Sequence, residues 1–174
     1  MERPQVGVAS RGLASAATII VGSLTIFVLS QPLSAATATA NLTVSATVVA
    51  SCTVTAGTVA FGNYDPTNAG NLDQTGTFTV ACTKGTGASV GLNTGSNASG
   101  ATRRMTSGSD FLTYELYKES DRSNVWGNSG GAAVTLAAAT SNAPQTLTVY
   151  GRIPPGQDVG VASYTDTVLI TVTF

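Results

Sequence analysis

The stretch Gly76-Thr77-Phe78-Thr79-Val80-Ala81-Cys82 alternates without a break: Phe78, Val80 and Cys82 point one way, Thr77, Thr79 and Ala81 the other. A period of two in β-branched and aromatic residues sets one apolar row against a core and one polar row toward solvent, which is the signature of a strand. The same reading extends outward. In Phe111–Tyr117, Leu112, Tyr114 and Leu116 share a side, and Thr146-Leu147-Thr148-Val149-Tyr150 repeats the scheme. So do the two ends of the exported chain, Asn41–Val48 and Thr167–Phe174. Turn clusters separate these runs: Gly62-Asn63-Tyr64-Asp65-Pro66, Lys84–Gly87, Asn93–Asn97, Gly127–Gly131 and Ile153-Pro154-Pro155-Gly156. After residue 40 the nearest helix candidate is Ala132–Ala139, and its flanking glycines and Thr135 argue against it. Short strands at regular spacing, seven or so in number, predict an all-β sandwich in one domain.

The first residues read differently. Arg3 and Arg11 precede an uncharged apolar run from Gly12 to Leu29, then Gln31-Pro32 and a series of small residues from Ser34 to Ala40. A basic end, an apolar centre and a small-residue exit are the parts of an export signal. The run is also just long enough to span a bilayer, about 18–20 residues. Its dilution by Gly22, Ser15, Ser23, Thr18 and Thr25, and the absence of a basic cluster after it, favour a cleaved signal over residues 1–36, with the cut after Ala36, Ala38 or Ala40.

The whole chain has 8 Lys and Arg against 9 Asp and Glu. Loss of Arg3, Arg11 and Glu2 with the leader makes the net charge −2, too weak a field to draw the domain to nucleic acid, and the only basic cluster is Arg103-Arg104. There are two cysteines, Cys52 and Cys82, and no histidine. In an exported chain an even pair reads first as a disulfide, with roughly 3–4 kcal/mol of stabilisation through the unfolded state. A metal pair is the alternative, but without histidine two further ligands are hard to find.

The same missing histidine excludes Ser-His and Cys-His nucleophiles. Glu115 and Glu119 could be imagined as a glycosidase pair; the simpler reading is a solvated strand edge balanced by Lys118 and Arg122. Trp126 could stack on a sugar but suits a core or loop anchor better. Asn41-Leu42-Thr43 and Asn97-Ala98-Ser99 match the glycosylation sequon by pattern alone. We expect no enzyme activity, no cofactor and no metal.

Residues of about 37–174 resemble the spore coat protein U family, which includes the pilins of archaic chaperone-usher pili. The resemblance rests on Ser51-Cys52-Thr53-Val54, Val59-Ala60-Phe61-Gly62-Asn63-Tyr64-Asp65-Pro66, Thr79–Thr83, Arg103-Arg104-Met105, Leu112–Lys118, Thr148–Pro154 and Tyr164–Val172, in that order. It implies an immunoglobulin-like sandwich lacking its last strand. A periplasmic chaperone lends a strand to such a domain, and an outer-membrane usher exchanges it for the N-terminal segment of an identical or related pilin. On that reading the donor strand is residues 37–48, with Ala38, Ala40, Leu42, Val44, Ala46 and Val48 as its inserted row. Val168, Ile170, Val172 and Phe174 help line the acceptor groove, with Leu169 on the other face. The chain is then a shaft or adaptor subunit of a surface fimbria, exported through the periplasm, serving adhesion and biofilm formation. The rivals are a secreted coat or matrix protein that is a complete monomeric sandwich, and a carbohydrate-binding module using Trp126 and the Tyr114/Tyr117 region.

N-terminal sequencing of the exported protein is expected to begin at Thr37, Thr39 or Asn41. A membrane-bound product that retains Met1–Leu29 contradicts the cleaved signal.

Overall fold

The computed structural model describes residues 34–174. The basic and apolar parts of the expected export signal therefore lie outside the described residues. Residues 34–44 fall outside the compact unit Ser45–Phe174, with no regular secondary structure and every residue exposed. The second unit, Ser45–Phe174, carries eight strands: β1 (Cys52–Thr55), β2 (Leu72–Cys82), β3 (Ala88–Leu92), β4 (Arg103–Thr106), β5 (Phe111–Tyr117), β6 (Val134–Leu136), β7 (Gln145–Ile153) and β8 (Ile170–Thr173). The one helical element among the described residues is a single 3-10 turn, Gly130–Ala132. The alternating run at 41–48 carries no strand, and no described residue pairs with it.

The strands form two antiparallel sheets, a five-stranded one in the order β1-β2-β7-β5-β4 and a three-stranded one in the order β6-β3-β8. Alternation sets what each face does. Phe78, Val80 and Cys82 of β2, Leu112, Tyr114 and Leu116 of β5, and Leu147, Val149 and Ile153 of β7 are buried in one core with Val90 and Leu92 of β3. Cys52 and Cys82 are joined by a disulfide and face each other as the first register pair of β1 and β2.

Two glycines interrupt the apolar rows, and the interruption has a purpose. Gly76 and Gly151 sit at inward positions of neighbouring strands. A Cβ at Gly76 would meet the Thr58 backbone and the Val59 side chain, and one at Gly151 would meet Phe61 and Val59. The chain after β1 thus crosses the inner face of the larger sheet in a trench that these glycines open. There Val59 and Phe61 pack on the core, and the Phe61 ring meets Tyr114 edge-on at 6.1 Å.

The pair Arg103-Arg104 is not an exposed basic cluster. Arg103 is 2% exposed. Its guanidinium donates to the carbonyls of Leu92, Asn93 and Trp126 and pairs with Glu115. A charge taken out of water needs that full set of acceptors. The network ties β4 and β5 of one sheet to the end of β3 in the other. Arg104 instead lies over the Phe111 ring at 4.1 Å and donates to Asn97 O. Glu115 is consequently the partner of a buried arginine rather than a solvated strand edge. Lys118 and Arg122 do not balance the glutamates: Lys118 donates to Gly131 O, and Arg122 pairs with Asp73 beside Arg152.

Arg103→Met leaves Glu115 and three carbonyls without their donor. We expect a loss of about 3–5 kcal/mol in urea unfolding; a change under about 1 kcal/mol contradicts the role given to this network.

Candidate functional site

The smaller sheet ends at β8, whose ladder runs to β3 along one edge only: Ser89↔Thr173, Val90↔Val172, Gly91↔Thr171 and Leu92↔Ile170. On the far side of the opening lies the crossing segment, residues 56–61. It belongs to no strand, and no backbone–backbone hydrogen bond joins residues 56–64 to other described residues. Between these two backbones is a cavity of about 380 Å³. Its walls are Ala56–Val59 and Phe61 on one side and Asp166–Val168 with Ile170 on the other. The floor is the core itself, including Phe78, Leu92, Tyr114, Leu116 and Val149. A second cavity of about 470 Å³ shares Phe61 and Met105 with the first and continues toward Tyr64, Val159 and Tyr164.

The chain leading into β8 is held at both ends. Thr165 exchanges two backbone hydrogen bonds with Thr106 of β4, at 2.9 and 3.1 Å, so this segment starts on the larger sheet and finishes on the smaller. Asp166 accepts from the backbone N–H groups of Ser96 and Asn97, from Asn97 Nδ2, and from the Tyr114 hydroxyl at 2.7 Å. The Tyr114 phenol is held well above its ordinary pKa, first by burial and then by this hydrogen bond. At the other end Tyr64 donates to Pro154 O and accepts from Gln157 N–H. The Gln157 side chain in turn pairs with Thr113. The opening is a slot with an apolar floor and, along β8, a strand edge paired on one side only.

The residues singled out from sequence fall in different places. Val168, Ile170 and Val172 share a half-buried face packed against the core, and Val168 and Ile170 line the cavity. Val172 lies farther along that face, outside the lining. Phe174 is 57% exposed and also lies outside it. Leu169 points the other way, 62% exposed, with its N–H donating to Asn93 Oδ1. Ala38, Ala40, Leu42, Val44, Ala46 and Val48 are all exposed. Sequence reasoning missed the opposite wall, Ala56–Phe61. Its signal was the pair of glycines at inward positions, which marks a close backbone approach. Trp126 is 1% exposed and donates from Nε1 to Val90 O at 2.9 Å, so it anchors the core and offers no sugar platform. Tyr114 is buried as well, so of the aromatic residues behind the carbohydrate-binding reading only the half-buried Tyr117 keeps an accessible surface.

The profile of the Spore Coat Protein U domain matches residues 38–171. Protein U of Myxococcus xanthus is 36% identical over 178 residues, which takes in 92% of this chain and 97% of that protein. Among solved structures, one similar chain comes from the complex of the CsuC chaperone with the CsuE tip adhesion subunit, a pre-assembly complex of the archaic chaperone-usher Csu pili of Acinetobacter baumannii. It aligns with a TM-score of 0.49 and 26% identity, over 74% of this chain and 41% of that one.

The raised Tyr114 pKa has a measurable consequence at the slot. The folded state keeps a proton that the unfolded chain releases above about pH 10. This contribution is intact at neutral pH and is lost as pH rises past that value. Between about pH 9 and 11 the unfolding free energy of the wild type is expected to fall more steeply than that of Tyr114→Phe. Parallel curves contradict the placement of a buried, Asp166-bonded phenol there.

Proposed function

From the premise that this chain belongs to the Spore Coat Protein U domain family, we propose that it is a structural subunit of an extracellular fimbria, assembled by exchange of donor strands. The observation that carries this reading is the slot between β8 and residues 56–61, with core side chains as its floor and an unpaired strand edge as its wall. An extended segment with apolar residues at every second position fills such a slot while its backbone completes the ladder. Residues 37–48 have that spacing, and burying Leu42, Val44 and Val48 contributes roughly 1.5–3 kcal/mol each. Every strand pair of the domain is antiparallel, and a donor antiparallel to β8 continues the pattern.

Val168, Ile170 and Val172 form the receiving face, and Phe174 extends that row past the edge of the cavity. The segment 56–61 supplies the second hydrogen-bonding wall. Donor and acceptor are different surfaces, so the contact repeats head to tail and propagates a filament. Before assembly the open slot needs a temporary occupant, the role of a periplasmic chaperone. An outer-membrane usher then replaces that occupant with the next subunit's donor. The cleaved signal brings the chain to this pathway, and the fibre serves attachment and biofilm formation at the cell surface. No step requires a catalytic group, a cofactor, a metal or nucleic acid.

Expression of the mature chain in a periplasm, with unheated and boiled samples compared on a denaturing gel, tests this. The wild type is expected to give a heat-sensitive ladder. Leu42→Asp with Val44→Asp should remove the ladder and leave a folded monomer with the chaperone. A soluble wild-type monomer that needs no chaperone favours the other member of this family's range, a secreted coat or matrix protein complete in itself.

A further inference from the structure

Within the donor-strand reading, the position of the disulfide has a mechanical meaning. Each subunit of a filament is pulled through its own donor segment, so tension enters the domain just after Val48 and reaches β1 within a few residues. Strand β1 is a poor anchor. It has four residues, lies at the edge of its sheet, and pairs only with β2. Three of the four residues are exposed. Behind it, residues 56–64 make no backbone–backbone hydrogen bonds with other described residues and are held by side-chain packing. A pull that strips β1 runs on into the crossing segment, which is one wall of the slot that grips the neighbouring subunit.

The bridge stands at the point of entry. Cys52 is the first residue of β1, and its register partner Cys82 is the last residue of β2. Next to it Ser51 O accepts from Thr83 N–H at 2.8 Å. Strand β2 has eleven residues and is paired on both edges, with nine register partners on β7. We propose that the Cys52–Cys82 bridge transfers filament tension from the donor segment directly into β2, past β1, and so keeps the crossing segment and the groove intact in a stretched fibre.

The experiment stretches single fibres before and after reduction with dithiothreitol, with thiol labelling to confirm that the bridge has opened. Oxidised fibres should yield without an early step. Reduced fibres should yield at a force at least twofold lower, by steps of roughly 70 Å per subunit. That length corresponds to releasing Cys52–Asn71 at about 3.5 Å per residue. Fibres of Cys52→Ser with Cys82→Ser, where they assemble, should behave like the reduced wild type. Equal force and extension in both states overturn the proposal. So does dissolution of fibres on reduction without any pull, which makes the bridge a requirement of the fold at rest. If the wild type forms no fibres, the donor-strand reading fails first and the tension role with it.

Discussion

The structure depends on an inequality between its two layers: five strands face three. The inner side chains of β2, β5 and β7 make up most of the core, and the β6-β3-β8 sheet is too narrow to cover them all. Part of the shortfall is met by residues 56–61, which cross the larger sheet over Gly76 and Gly151. What is left is the slot, floored by Phe78, Tyr114, Leu116 and Val149. Apolar surface facing such an opening is poorly solvated, and the edge of β8 beside it is a ready template for another strand. In the proposed donor-strand reading both features are met by one occupant, an extended alternating peptide such as the run ahead of β1.

Keeping the slot open takes polar fastening at its ends. Arg103 joins the sheets at one point through a buried guanidinium with acceptors on both. Asp166 gathers four donors and fixes the approach to β8, while Gln157 and Tyr64 fix the turn after β7. These contacts are costly to break because the groups are partly or wholly withdrawn from water. They hold the walls apart instead of letting the core collapse across the gap. Preorganisation of this kind spares an incoming strand the cost of ordering the site.

Much of this was legible in the residues. Alternation placed Phe78, Val80, Leu112, Tyr114, Leu116, Leu147 and Val149 on inward faces, and they are buried. The strands missed were short ones, β1, β3, β4 and β6, where exposure of three residues in four, glycine, arginine or a length of only three residues blurs the period. Arg103 was the clearest misreading. Adjacent arginines look like a surface patch, but strand geometry sends successive side chains to opposite faces, so one turned inward to the carbonyls and the other outward to Phe111. The slot itself was half visible. The apolar parity of Val168, Ile170 and Val172 marked one wall. The opposite wall depends on a long-range approach of Val59 and Phe61 to Gly76 and Gly151; the two inward glycines mark a close backbone approach, but no local pattern says which segment makes it.

The most direct measurement of the central claim is amide hydrogen exchange on the assembled protein. Donor-strand assembly predicts slow exchange along residues 38–48, which have no strand partner among the described residues, together with protection of residues 56–61 and the outer edge of 166–173. Free exchange of the 38–48 amides in an intact assembly contradicts it, since whatever then holds the subunits together leaves the slot unfilled.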